Sequence, residues 1–392
     1  MIVLYIALAV VILLFMVMIH EFGHYCIGRM LNFKITEFSI GFGKALISRK
    51  NKRGELISLR LFPLGGYCAF AGEDEVDAND KDAFTNQAPW KRILVFLAGV
   101  TFNFATAVIF SLILLCTVGY DVPQVKKVEL DTTSITHYID SSIQQNFSDL
   151  NTLKPGDVII SIEGQKIDFA YGKTYNELIK AQMSDLSSYI KEKKDYAASH
   201  GLIFDEKNEF SNYDTFTARV RRGSEYKDVE IGFYQVEIEV VENGVVTGTE
   251  FKYYYGVNAS AYVYSFTEGL QRAVPFAFGL SFVVLKSLWQ LITFQIPLSA
   301  VGGPITTITT IAQFAQANFA NLLILIPLIS ANLAVFNALP IPALDGAHVV
   351  FTLIEWIRKK PIKREIENLI HTVGIFILFG AVILIDILHF VL

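Results

Sequence analysis

Residues Met16 to Cys26 read MVMIHEFGHYC. His20 and His24 are four apart, so on a helix they share one face and could hold a single metal ion. Glu21, beside the first, could reach a water on that metal and take its proton. Two histidines leave such a site short, because catalytic zinc ordinarily has three protein ligands and a water. The best third candidate is Asp345 in FNALPIPALDGAHVV, where an apolar run breaks at Pro340 and Pro342. Backbone groups freed by that break have no partner in lipid, so the turn must be packed in protein or line a wet cavity. Asp345 offers a carboxylate ligand there; it could equally cap a helix opening at Gly346, Ala347 and His348. His348 could also bind metal, but it reads better as a supporting residue, as do His371 and His389 near span ends.

HExxH alone recurs by chance, so its surroundings decide its meaning. Ile2 to Ile19 is uncharged and apolar throughout, and the apolar pattern continues to Ile27, about the length a bilayer requires. Ionisable residues persist in such a helix mainly where they face a protein interior and act. The segment has neither a basic leader nor small residues before a cut, so it is expected to be a retained helix. The composition agrees: 52% of the 392 residues are hydrophobic and the mean hydropathy is +0.41. A net charge of −5 gives no global basic surface, which argues against a nucleic-acid partner. Cys26, Cys68 and Cys116 lie far apart and form no CxxC pair, which argues against both a disulfide framework and a thiolate metal site.

The fold class expected is a multi-pass α-helical membrane protein with a membrane-associated β-hairpin and an extracytoplasmic α+β domain. The first helix takes residues 1–28. Residues 29–92 read as two β-rich runs joined by a basic turn, GFGKALISRKNKRGELISLRLFPLGGY, in which Gly65 and Gly66 permit close backbone approach. Residues 93–118 form a second span and 119–268 a soluble domain. In that domain LKPGDVIISIEGQKI alternates like a strand between turns, Tyr175 to Tyr196 has helical spacing, one hairpin turns at Arg222–Ser224 and another at Asn243–Gly244. His137 and His200 also fall there. Residues 319–357 hold a third span with the Asp345 motif, and 358–392 a basic link and last span, about Leu369 to Leu388. Lysine and arginine mark 29–92 and the link at Arg358 to Arg364 as cytoplasmic. Only one crossing can then fall between Glu268 and Arg358, so 269–318 is expected to lie in the interface. His20 would sit roughly 13 Å inside Arg29 at the rise of a helix.

These motifs in their order, HEFGH, FSIGFGKAL, PLGGY, LAGVTFNF, LKPGDVIISIEG and NALPIPALDGAH, resemble the site-2 protease family of intramembrane zinc metalloproteases, most closely the bacterial regulator of sigma-E protease type. The resemblance implies one zinc ion on His20, His24 and Asp345, with Glu21 as general base. It implies substrate-side roles for Asn332, Asn337 and Asn103, and a hairpin that receives an unwound peptide beside Gly65 and Gly66. Val100 stands where the family carries a proline, which leaves that helix straighter. It further implies the bacterial inner membrane, with a PDZ domain outside the cytoplasm that screens substrates. The partners implied are single-span or signal-peptide-like membrane substrates, membrane lipid, and an upstream site-1-type protease. One PDZ-like core is recognisable, divided by a polar insertion at Tyr171 to Asp214, and no Gly-Leu-Gly-Phe loop is present. Two other classes use the same residues: a membrane metal transporter, which leaves Glu21 idle, and a catalytically inactive PDZ scaffold, which leaves the intact HExxH idle.

Overall fold

The computed structural model describes residues 2–73, 80–120, 122–128, 153–204, 215–242, 245–255, 257–297 and 302–391. His137, the Asn243–Gly244 turn, the side chain of His389 and residues 205–214 of the insertion lie outside the described set. The chain divides into two compact units, Leu115–Ser265 and the remainder.

The larger unit is built on long apolar helices. Helix α1 covers Ile2–Met30 and ends at Asn32, whose φ of 62° reverses the chain. Phe33 N–H bonds to the Gly28 carbonyl and Asn32 N–H to that of Arg29, the paired closure that a left-handed residue makes after a helix. Two strands follow, β1 (Ile35–Lys50) and β2 (Leu56–Phe70). Helix α2 (Pro89–Thr117) opens on a proline, whose missing N–H costs nothing at the first helical position.

The sequence suggests a plain hairpin for β1 and β2; the strands instead fold over themselves. Ser48 to Lys50 pairs with Leu56 to Ser58, as a hairpin should. The first part of β1 also pairs twice, with Gly66 to Phe70 on one side and, in rising register from Glu37 opposite Leu56 to Ile40 opposite Leu59, with the start of β2 on the other. Gly41 and Gly43, both at φ above 80°, give β1 the bend this needs. Arg60 pins the fold by reaching Glu37 Oε1 at 2.7 Å, Ser39 Oγ at 3.0 Å and the Gly43 carbonyl at 2.7 Å. Burial pushes the Glu37 carboxyl up, but hydrogen bonds from Ser58, Arg60 and Tyr67 outweigh it and hold the group below its ordinary value.

In the smaller unit an antiparallel sheet is built from β3 (Pro123–Val128), β4 (Val158–Ile162), β5 (Gln165–Lys166), β6 (Thr215–Arg222), β7 (Glu225–Glu242), β8 (Val245–Tyr255) and β9 (Val257–Ala261). Its order is β8-β7-β6-β4-β3-β9, with β5 on β4. Glu163 and Gly164 make the turn between β4 and β5, and Gly223 at φ 64° the turn between β6 and β7. Helix α3 (Tyr175–Ser199) buries Leu178, Ile179, Leu186 and Ile190 on one face. That part of the insertion is therefore core material, which its lysine-rich outer face disguised.

The chain returns to the first unit with α4 (Phe266–Ile292), α5 (Pro304–Ala317), α6 (Leu322–Ala338), α7 (Asp345–Arg358) and α8 (Arg364–Val391). Helix α4 is one continuous helix and, by length and composition, one of five among the described residues that are long and apolar enough to cross a membrane. Gly269, Ala273, Phe276, Ala277 and Leu280 bury one of its faces, and it packs on α6. Ala9, Ile12 and Met16 of α1 pack with Ile311 and Ala315 of α5 and Leu322 of α6. The start of α5 is capped from another helix: Asp386 of α8 accepts from Ile305 N at 3.1 Å, Thr306 N at 3.3 Å and Thr306 Oγ1 at 2.9 Å. A Cβ on Gly303 would lie 2.4 Å from that carboxyl carbon, so glycine is needed for the approach. Replacing Asp386 with alanine should therefore cost about 1 kcal/mol, the usual value of a side-chain cap. The expected readout is a lowered thermal midpoint in detergent, largely restored by Asp386→Asn; an unchanged midpoint for the alanine variant refutes the cap.

Candidate metal centre

His20 and His24 face α2 from α1, both 8% exposed, with ring centroids 4.8 Å apart and the rings nearly perpendicular. Two glycines let the helices come this close. A Cβ on Gly23 would meet the Ala98 carbonyl oxygen at 2.6 Å, and one on Gly99 would stand 2.5 Å from His20 Cε1 and 2.6 Å from His24 Nε2. His24 Nδ1 donates to the Val95 carbonyl at 2.8 Å, which leaves Nε2 as the ring's lone-pair nitrogen.

Asp345 completes the group. It is the first residue of α7, not the cap: Leu344 holds that position and supplies no side-chain bond. Asp345 Oδ2 lies 3.1 Å from His20 Nε2 and 3.4 Å from His24 Nε2, and the two Nε2 atoms are 3.3 Å apart. This buried oxygen has no hydrogen-bond partner among the described residues despite its nearness to the rings. Two imidazole nitrogens and a carboxylate oxygen pointed at one another at these distances are the donor set of a divalent cation such as zinc.

Asn103 is fully buried, and its amide meets His20 Nδ1 at 3.2 Å. Drawn with Nδ2 toward the ring, it leaves Oδ1 without a partner among the described residues. Turning the amide over lets Oδ1 accept from His20 Nδ1–H, which satisfies that oxygen and frees His20 Nε2 in the same sense as His24. The resemblance put Asn103 on the substrate side; its contact is with an imidazole.

A cavity of about 440 Å³ opens on this group and is lined by Glu21, Gly65, Gly66, Asn103, Asn337 and Asp345 among others. Glu21 and Cys68 of β2 line the cavity together. Gly65 has φ 137°, and a Cβ on Gly66 would meet Ser39 O at 2.7 Å and Glu21 Cγ at 3.3 Å, so glycine brings β2 against Glu21. Asn337 donates to the Leu333 carbonyl at 3.0 Å. Asn332 is exposed on α6 and does not line the cavity.

The turn before Asp345 has its own support. Ala343 has φ 80°, and its N–H donates to His371 Nδ1 of α8 at 2.9 Å. The His371 ring stacks on His348 at 4.1 Å, and His348 on Phe96 at 4.9 Å. His348, Glu367 and His371 also cluster closely enough to suggest a metal. The lone pair of His371 Nδ1 is taken by a backbone donor, however, so its other nitrogen carries the proton in the neutral ring. Sequence reasoning missed Gly99 and two further residues that line the cavity, Tyr67 and Glu73. Only the glycine left a signal, standing four residues after Val95 on the helix that faces HExxH.

The family model described as Peptidase family M50 matches residues 8–381. A Campylobacter jejuni protein named "Putative zinc metalloprotease" is 29% identical over 95% of this chain and 90% of its own length. One of the same name from Rickettsia conorii is 27% identical over 94% of this chain and 93% of its length. The Regulator of sigma E protease of Haemophilus influenzae is 25% identical over 94% of each.

The amide of Asn103 carries a prediction. Asn103→Leu should weaken metal affinity by about 10- to 100-fold, the usual effect of removing a partner that orients a ligating histidine. Chelator competition on the purified protein measures it, and wild-type affinity in the variant overturns the orienting role.

Proposed function

The chain belongs to Peptidase family M50, and from that premise we propose that it is an intramembrane zinc endopeptidase of the site-2 type. The observation that carries the reading is the convergence of three lone-pair donors from α1 and α7 in one cavity with Glu21. His20, His24 and Asp345 would hold the zinc ion. When bound, zinc supplies a Lewis acid that brings the pKa of water to about 7. Glu21, which lines the cavity beside these ligands, would act as the general base toward water and return the proton to the departing amine. Asn337 offers an amide to the substrate backbone or to the developing oxyanion.

The substrate class proposed is a single-span membrane protein or a remnant signal peptide. Its helix has every peptide group paired internally, so it must unwind before hydrolysis. The Gly66 to Phe70 segment pairs with Ile35 to Ile40 and approaches Glu21 at Gly66, which supports capture of the unwound segment by strand addition. The sigma-E regulator among the relatives supports an anti-sigma-factor-like substrate, first trimmed by a separate site-1-type protease. Residues 119–268 would serve as the PDZ-like filter outside the cytoplasm of a bacterial inner membrane. On this reading α4 packs on α6 without adding a crossing, and both basic stretches share the cytoplasmic side.

Glu21→Gln should abolish cleavage of a single-span reporter in proteoliposomes while about one zinc per chain remains. Asp345→Asn should lose both zinc and cleavage. Cleavage undiminished by Glu21→Gln would falsify the catalytic assignment. Topology has a separate check in a cysteine-free background. Single cysteines at Lys52 and Lys360 should react with an impermeant thiol reagent only from the cytoplasmic face; labelling from opposite faces means that α4 crosses.

A further inference from the structure

A second cavity, of about 850 Å³, lies among the last turn of α7, the start of α8 and the start of α2. Arg92, Lys359, Lys360 and Lys363 line it, against two carboxylates, Glu355 and Glu365. One of those carboxylates is already engaged. Glu355 receives Arg92 Nη2 at 2.7 Å and the Ile362 backbone N–H at 3.0 Å, so its charge is answered from both oxygens. The cavity is therefore cationic in balance.

Arg92 is the telling member. Its side chain is 7% exposed, and its Nε, buried, has no hydrogen-bond partner among the described residues. The guanidinium lines the cavity, and its positive charge adds to the attraction for an anion there. Two helices begin here, α2 at Pro89 and α8 at Arg364, and their partial positive ends add to the attraction.

Position narrows the anion's source. Both α2 and α8 are candidate membrane spans, and the cavity sits where each begins, at headgroup level once the chain lies in a bilayer. Beside it the surface turns apolar: Ile357 is 80% exposed, Ile366 50% and Leu369 63%, and Trp356 at the rim is half exposed. A basic pocket that continues into an exposed apolar face fits a phosphate carrying acyl chains better than a free ion.

We propose that this cavity binds the headgroup phosphate of an anionic phospholipid. Lys359, Lys360, Lys363 and Arg92 hold the phosphate, and the acyl chains lie along Ile357, Ile366 and Leu369. The proposal needs only that the chain is embedded in lipid and is independent of the peptidase reading.

The test uses the full-length protein, delipidated in neutral detergent, with phosphatidylglycerol, phosphatidylcholine and inorganic phosphate as probes. Native mass spectrometry and the thermal midpoint are the readouts. Phosphatidylglycerol should be retained and should raise the midpoint, with phosphatidylcholine and inorganic phosphate weaker on both. The triple variant Lys359→Gln, Lys360→Gln, Lys363→Gln should bind phosphatidylglycerol on the order of 100-fold more weakly, as expected for three lost surface lysines. Its circular dichroism and lipid-free midpoint should match wild type. The matching exchange at Lys191, Lys193 and Lys194 of α3 should leave retention unchanged. Equal retention of phosphatidylcholine, undiminished binding by the first variant, or equal loss in the second overturns the site. Protection by inorganic phosphate without retention of phosphatidylglycerol overturns the lipid as its source.

Discussion

Three potential ligand atoms brought to one point inside an apolar unit form the constraint on which the rest of the larger unit depends. His20 Nε2, His24 Nε2 and Asp345 Oδ2 stand within 3.4 Å of one another, buried in a helical unit whose outer faces are apolar. Electron-rich atoms do not gather in a low-dielectric interior unaided, since each loses hydration and repels the others. The fold must hold them there. Val95 takes the proton of one ring, Asn103 meets the other, and Gly23 and Gly99 let α1 and α2 close to a distance any Cβ would forbid. Each of these choices is local, and together they shape a site that a divalent cation would satisfy.

The same constraint explains the oddities around Asp345. A carboxylate on the first turn of a helix would ordinarily turn to its own backbone N–H groups. Here Ala343 is forced to a positive φ, its N–H is caught by His371 from α8, and Gly346 is so tightly placed that a Cβ would meet the Leu339 carbonyl oxygen at 2.2 Å. The carboxylate is thereby aimed away from its own helix and toward α1. The proline pair at Pro340 and Pro342 removes donors that a turn in an apolar setting would otherwise have to satisfy.

How much of this the sequence disclosed depends on range. HExxH spacing, the break before Asp345, the Glu-Gly turn after β4 and the hairpin at Gly223 are local patterns, and local patterns survive being read in one dimension. Helix α3 was legible from its spacing, but its place in the core was hidden because its apolar residues occupy one face of a lysine-rich segment that also carries long polar runs. The double pairing of β1 was hidden because register is a property of two strands, and nothing within Ile35 to Lys50 states how many neighbours it has. Gly99 and Asn103 were quoted in a motif but their work is done 79 and 83 positions from His20 in chain order, against rings that only folding brings to them. Charge counting made α4 interfacial, whereas helix length alone makes it a candidate span; the two rules answer different questions, one about sides and the other about reach.

The size of the first cavity bears on what the proposed peptidase could admit. A helix with its side chains is about 10–12 Å across and rises 5.4 Å per turn, so 440 Å³ holds roughly one turn of it. A spanning helix needs about 20 residues. Such a helix cannot enter whole, and on the proposed reading the few residues that enter give up their internal hydrogen bonds before hydrolysis. The cost of those unpaired groups in an apolar setting is several kcal/mol each. A strand edge beside Glu21 answers that cost with new backbone partners at the place where hydrolysis would occur. The sheet is on this view part of the chemistry: without it the candidate base and metal ligands would face a substrate whose peptide bonds stay closed.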